Sequence, residues 1–162
     1  MDIKKLVSEA FLMAIVESVK RDGPEKTIEL IENVAKYIGE KEGPGLEGDP
    51  KGSVNCMYIC PFANILQEFL NKYGGMPPEF EELLEYSNDR DDIAASNVFC
   101  LYHHSLRAKR AEMAGKKVSH LASNANAEAK TTYNDKAIEA ANLSRENIDE
   151  LITKTVCIFK YE

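Results

Sequence analysis

Cys56 and Cys60 stand four residues apart in CMYICPF, and Cys60 directly precedes Pro61. A thiol in that place can be a nucleophile, a ligand to a metal or cluster, or a small apolar core residue. If a helix opens at Pro61, Cys60 is its N-cap. Unpaired backbone amides there favour negative charge and lower a thiol's pKa. A second group follows in FCLYHHSLR, residues 99–107. On a helix, Cys100, His103 and His104 lie about one turn apart. Either histidine can then serve the thiol as general base, or Cys and His can ligate one metal ion. Cys157 can complete a set with Cys60, Cys100 and His104, whose donor types suit zinc, iron or an iron–sulfur cluster. No Cys-x-x-Cys pair is present, so the spacing matches no standard metal module.

Positive charge gathers at Arg107, Lys109, Arg110, Lys116 and Lys117 in a chain of net charge −7. Arg107 lies one turn beyond His103 and, with Tyr102, is placed to hold a substrate carboxylate. The alternative is a solvated face paired with the acids of EFEELLEYSNDRDD, residues 79–92. Each cysteine also has a packing explanation, because free thiols are among the most buried groups. His120 reads as a surface or loop histidine. The chain carries no phosphate-binding glycine loop, dinucleotide fingerprint, serine elbow or His-Glu-x-x-His.

The elements that must position these groups follow from periodicity. Residues 2–21 carry apolar side chains at helical spacing, with a stripe so wide that most of the helix should be covered, in the core or at a dimer contact. Gly23-Pro24 ends it and opens a second helix over 24–38. GEKEGPGLEGDPKGS, residues 39–53, is a loop, either a lid or a plain connector. VNCMYI, residues 54–59, is rich in strand formers. Helices are predicted over 61–73, closed by Gly74-Gly75, over 79–89 after Pro77-Pro78, and over 91–115. Residues 116–134 suggest a hairpin or irregular strands. Ser144 caps a helix in SRENIDELITKT, and VCIFKY, residues 156–161, is β-rich.

The 162 residues suit one domain, 1–162, with no repeat or change of composition. The expected class is α+β: a helical N-terminal half, with a small antiparallel sheet packed by helices in the C-terminal half. The acidic balance argues against nucleic acid as a partner. The longest uncharged run in the first helix, residues 10–16, falls far short of the roughly 18 residues that span a bilayer. We expect a soluble, cytoplasmic protein without a targeting segment, whose four cysteines are reduced. The expected partners are a small-molecule ligand and, through the first helix, a second copy of the chain.

CPFANILQEF (60–69), the cysteine of NVFCLYHHSLR (97–107) and the closing VCIFKY together resemble the L-2-amino-thiazoline-4-carboxylic acid hydrolase family. The likeness covers about the last hundred residues. It implies hydrolytic opening of a small sulfur-containing ring that bears a carboxylate, with Cys60, Cys100 and Cys157 at the family's cysteine positions. This chain departs from the pattern at His103-His104, where an acidic or asparagine-rich segment is expected. Small size and clustered cysteines are also similar to the 4-vinyl reductase-type ligand-binding domain, whose glycine-rich segments this chain lacks. A sensor or carrier that holds a metal ion or iron–sulfur cluster is the non-enzymatic alternative.

Overall fold

A computed structural model describes residues 2–126 and 128–162. The first part is helical, with α1 (Ile3–Asp22), α2 (Pro24–Glu42), α3 (Ala63–Tyr73) and α4 (Pro78–Asn88) packed beside α5 (Val98–Met113). Local chemistry sets their ends. The Asp2 carboxylate accepts from the backbone N–H groups of Lys4 and Lys5 and caps α1. Pro24 and Pro78 each occupy a first helical turn, and Gly74, at φ 91°, closes α3. One face of α1 buries Leu12, Ile15, Val16 and Val19 against Ile28 and Ile31 of α2 and Phe69 of α3. Within the single chain the opposite face is not covered. Ile3, Leu6 and Val7 are 72%, 48% and 63% exposed, because the neighbouring helices take only one side.

The strands β1 (Asp49–Lys51), β2 (Val54–Met57), β3 (Val118–Ser123), β4 (Thr132–Tyr133) and β5 (Cys157–Tyr161) form an antiparallel sheet in the order β1-β2-β5-β3-β4. The chain's last strand therefore lies at the sheet's centre, between β2 and β3. Helices α6 (Asp135–Ala140) and α7 (Arg145–Ile152) bury Ile138, Ile148 and Ile152 on one face, against Val54, Leu121 and Ile158. On the other face Ala111 of α5 meets Val118 and Phe159. Helix α5 is thus shared by the helical layer and the sheet. The α+β class holds, with helices in the first half and the sheet mostly in the second.

Several boundaries differ from the sequence reading. Helix α5 starts at Val98, not at residue 91, because the Asn97 side chain accepts from the Phe99 N–H and caps it there. The preceding turn is occupied by an Asn88–Ala95 hydrogen-bond exchange, which diverts the backbone from helix. Helix α2 runs on to Glu42, so the expected 39–53 loop contains the end of a helix and all of β1. Residues 116–134 do hold β3 and β4; Ala127, within that segment, lies outside the described residues. Helix α6 falls in a stretch, residues 135–143, that periodicity does not assign. Ser144 caps α7 as expected, in a reciprocal box with Asn147. No described helix is long and apolar enough to cross a membrane.

Candidate functional site

Sheet register places the first thiol. Cys157, opening β5, pairs with Met57 of β2 on one side and Ser123 of β3 on the other. A bulge in β3 then brings His120 to the same place. His120 faces Phe159 and Ala122 faces Ile158, so Leu121 is the extra residue and the strand's phase shifts by one. Both His120 and Ser123 consequently line the α5 side of the sheet. There His120 Nε2 lies 2.9 Å from Cys157 Sγ. The sequence reading of His120 as a surface residue is corrected: it is 2% exposed. No local pattern announces this, because it follows from a bulge and a long-range pairing.

Helix α5 covers this part of the sheet and contributes Cys100, His103, His104 and Arg107 to a pocket whose volume, with its open mouth, is about 370 Å³. Cys60, from the turn between β2 and α3, lies on the same wall as Phe62. Three of the four cysteines therefore meet at one cavity, and all four are free thiols. Cys56, buried against the α6–α7 side of the sheet, is a packing residue.

Cys60 is not the N-cap of α3. The helix starts at Ala63, its N-cap position is Phe62, and the Ala63 N–H donates to the Cys60 carbonyl instead, at 3.3 Å. Nor is its pKa lowered. Burial pushes the Cys60 thiol up, and the backbone amides of Phe62 and Ala63, with the Asn97 side chain, offset only part of this. Burial pushes Cys157 up to about 12 despite the nearby Arg107 charge. Cys100 sits between two hydroxyls, 3.8 Å from Ser96 Oγ and 3.7 Å from Ser123 Oγ.

Each of the adjacent histidines has a carboxylate partner. His103 Nε2 is 3.0 Å from Glu47 Oε2, and His104 Nε2 is 3.2 Å from Asp92 Oδ2. Glu47 also lies 3.2 Å from Arg110 Nη1 and 3.5 Å from Arg107 Nε. Its hydrogen bond to His103, with the Arg107 and Arg110 charges, outweighs burial and holds the carboxyl at about 2. The loop that carries Glu47 is pinned here: its N–H donates to Tyr161 Oη at 2.7 Å, and Arg110 Nε donates to the Gly43 carbonyl. Glu47, from the glycine-rich loop, is thus the main acid opposite these cations. Lys109 pairs with Glu40 and Glu112 and Arg110 also with Glu42, and among the described residues no ion pair joins Arg107, Lys109, Arg110, Lys116 or Lys117 to the segment 79–92, so the expected pairing with that acidic segment is corrected.

Arg107 is 2% exposed and lines the pocket, with its guanidinium 3.9 Å from the Phe159 ring centroid. Its Nη2 donates to the Met57 thioether at 3.2 Å. The Nε, although within ion-pair distance of Glu47, has no hydrogen bond among the described residues. A buried guanidinium with five donors and one weak sulfur acceptor has capacity for an incoming anion. Tyr102, expected beside it, packs instead edge-on against Phe11 and Phe62 and is not part of the pocket wall. One helical position separates it from the pocket-facing residues, which turns it toward α1.

Cys60, Cys100, His104 and Cys157 share the pocket wall. Among the described residues, no three or more His, Cys, Asp or Glu side chains are grouped so as to hold a metal ion. Comparison with protein-family models, curated proteins and solved structures returned no match.

Proposed function

We propose that the protein is a small hydrolase that opens a carboxylate-bearing heterocycle containing sulfur and nitrogen, the activity implied by the resemblance to the thiazoline-carboxylate hydrolases. The supporting observation is a single cavity lined by three thiols, two carboxylate-paired histidines and a buried guanidinium with donors to spare. Arg107 receives the ligand carboxylate, and Phe62, Phe99 and Val156 form an apolar wall for the ring. Cys60 or Cys100 attacks the ring carbon between sulfur and nitrogen, His104 or His103 takes the thiol proton, and water completes the cleavage. Burial keeps the Cys60 thiol protonated in the free protein, so ligand entry and a positioned base must drive its ionisation. Four free thiols fit a reducing compartment, in keeping with a cytoplasmic protein.

Calorimetric titration with 2-amino-thiazoline-4-carboxylate tests the anchor. The unmodified chain should bind it, and the analogue without the carboxylate should bind at least tenfold more weakly. Equal affinity for the two would exclude Arg107 as a carboxylate anchor.

A further inference from the structure

His104 has one ring nitrogen in use and one idle. Its Nε2 is bonded to Asp92, while Nδ1 is buried and has no partner among the described residues. The ring lines the thiol pocket, is 3% exposed and stacks on His120 at 5.9 Å between centroids. Asp92 is itself held from behind: Arg90 Nε and Nη2 reach its two oxygens at 2.9 and 2.8 Å, and Arg90 Nη1 pairs with Glu32 of α2. A line of groups, Glu32–Arg90–Asp92–His104, therefore runs from the surface of α2 to the pocket wall.

The protonation states follow from these contacts. Burial works against a charge on Asp92, but the bonds to His104 and Arg90 outweigh it and keep the carboxylate ionised well below the usual range. Burial lowers the His104 pKa more than Asp92 raises it, so the ring is neutral at neutral pH. An ionised carboxylate only accepts, which puts the single ring proton on Nε2 and leaves a lone pair on Nδ1. Burial and the Arg107 and Arg90 charges oppose protonation of His104, and Asp92 alone favours it; the neutral His120 ring stacks beside it. Lys117 and Lys136 line an open cleft together with Asp89, Arg90, Asp91 and Asp92. An unpaired buried nitrogen is costly to the fold and has a use where a proton must be taken up.

We infer that His104, rather than His103, is the base for the pocket thiols, with Asp92 as the positioning residue that fixes its tautomer. This rests on the thiol-hydrolase reading of the pocket. The S–H proton of the attacking cysteine passes to Nδ1 and its electron pair forms the bond to the ring carbon. Asp92 stays ionised and stabilises the imidazolium. The Nδ1 proton then goes to the leaving ring atom as its bond to that carbon breaks, and the neutral Nε2–H tautomer is restored.

Nitrogen NMR of the full chain labelled at histidine tests this without any substrate. His104 should be a neutral Nε2–H tautomer at pH 7, and Asp92→Asn should shift the tautomer or the titration. Asp92→Glu, which keeps the charge, should retain both and serves if the asparagine variant does not fold. With 2-amino-thiazoline-4-carboxylate, Asp92→Asn should lower kcat about 100-fold or more and move the acid limb of the pH profile, with KM little changed. An Nδ1–H tautomer or an imidazolium at pH 7 overturns the inference, as does an Asp92→Asn enzyme of undiminished kcat. Absence of turnover by the unmodified chain, with the tautomer as described, would overturn the hydrolase reading and with it the role of His104 as base, and leave only the tautomer assignment standing.

Discussion

His120 Nε2 and Cys157 Sγ lie 2.9 Å apart within the pocket. The other ring nitrogen, Nδ1, accepts from the Ala94 N–H at 3.4 Å. Burial and the charges around it keep His120 neutral, with its pKa well below the usual value. A neutral ring that accepts at Nδ1 carries its proton on Nε2, so His120 donates to the sulfur and is not its base. Cys157, at about 12, remains a thiol. Iodoacetamide near pH 7.5, followed by peptide mass mapping, should therefore label Cys60 before Cys157 and Cys56. Early labelling of Cys157 would contradict this arrangement.

Stability should fall in acid in two steps. His104 and His120 have lowered native pKa values, so the unfolded chain binds protons first as pH drops through about 6.5. Their contribution is complete above that value and is lost as pH falls toward the native pKa values. Glu47 acts lower: its carboxyl drops from 4.5 to about 2 on folding. The stabilisation is full above pH 4.5, is lost on the way down to about 2, and amounts to at most about 3 kcal/mol. Urea unfolding at pH 7.5, 5.5 and 3.5 checks both steps. Glu47→Gln should remove the Glu47 share of the slope below pH 4.5 and leave the share that Asp92 contributes, and an unchanged slope would show that the Glu47 cluster is not one of its sources.

Gly48 at φ +89° allows the Glu47 loop to lie against the sheet, since an added Cβ would stand 2.6 Å from the Phe159 ring. Gly48→Ala combines backbone strain with that overlap. It should cost about 1–3 kcal/mol and loosen the loop over His103 and Arg107. Hydrogen exchange at residues 43–48 should rise in this variant. Unchanged protection and stability would mean that the loop is not held by this close approach.

Arg107→Lys is a specific test of the anchor's shape. Lysine keeps the charge but loses the planar donors and the face that lies on Phe159. Affinity for a small carboxylate should fall about tenfold or more, with stability reduced as well because Glu47 loses a partner. An affinity equal to that of the unmodified chain would show that charge alone suffices and that donor geometry is irrelevant.

The grouping of Cys100, His103, His104 and Arg107 was legible because helical spacing sets neighbours on one face of α5; Cys60 stood out beside its proline, but nothing local shows that it meets them. Cys157 was legible only as a donor type, and its position depends on β5 entering the centre of the sheet. The partners that decide the chemistry were not legible. Glu47 sits in a loop whose composition says only "turn", and Asp92 was hidden in a segment that reads as helix until Asn97 is recognised as a cap. His120 required the bulge at Leu121, since strict alternation would not put it and Ser123 on the same side. The pKa of Cys60 was expected to fall on local grounds, but burial by distant elements outweighs the amides beside it. Tyr102 failed for a simpler reason: one step along a helix turns a side chain by about 100°.

The most direct measurement is turnover of 2-amino-thiazoline-4-carboxylate by the unmodified chain and by Cys60→Ser and Cys60→Ala, followed by chromatography of the ring-opened product. A thiol-dependent hydrolase that uses Cys60 should show saturable turnover, abolished in both variants, with their unfolding curves nearly unchanged. A stable Cys60→Ala protein of full activity would contradict the assignment of Cys60. No turnover by the unmodified chain would contradict the hydrolase reading itself.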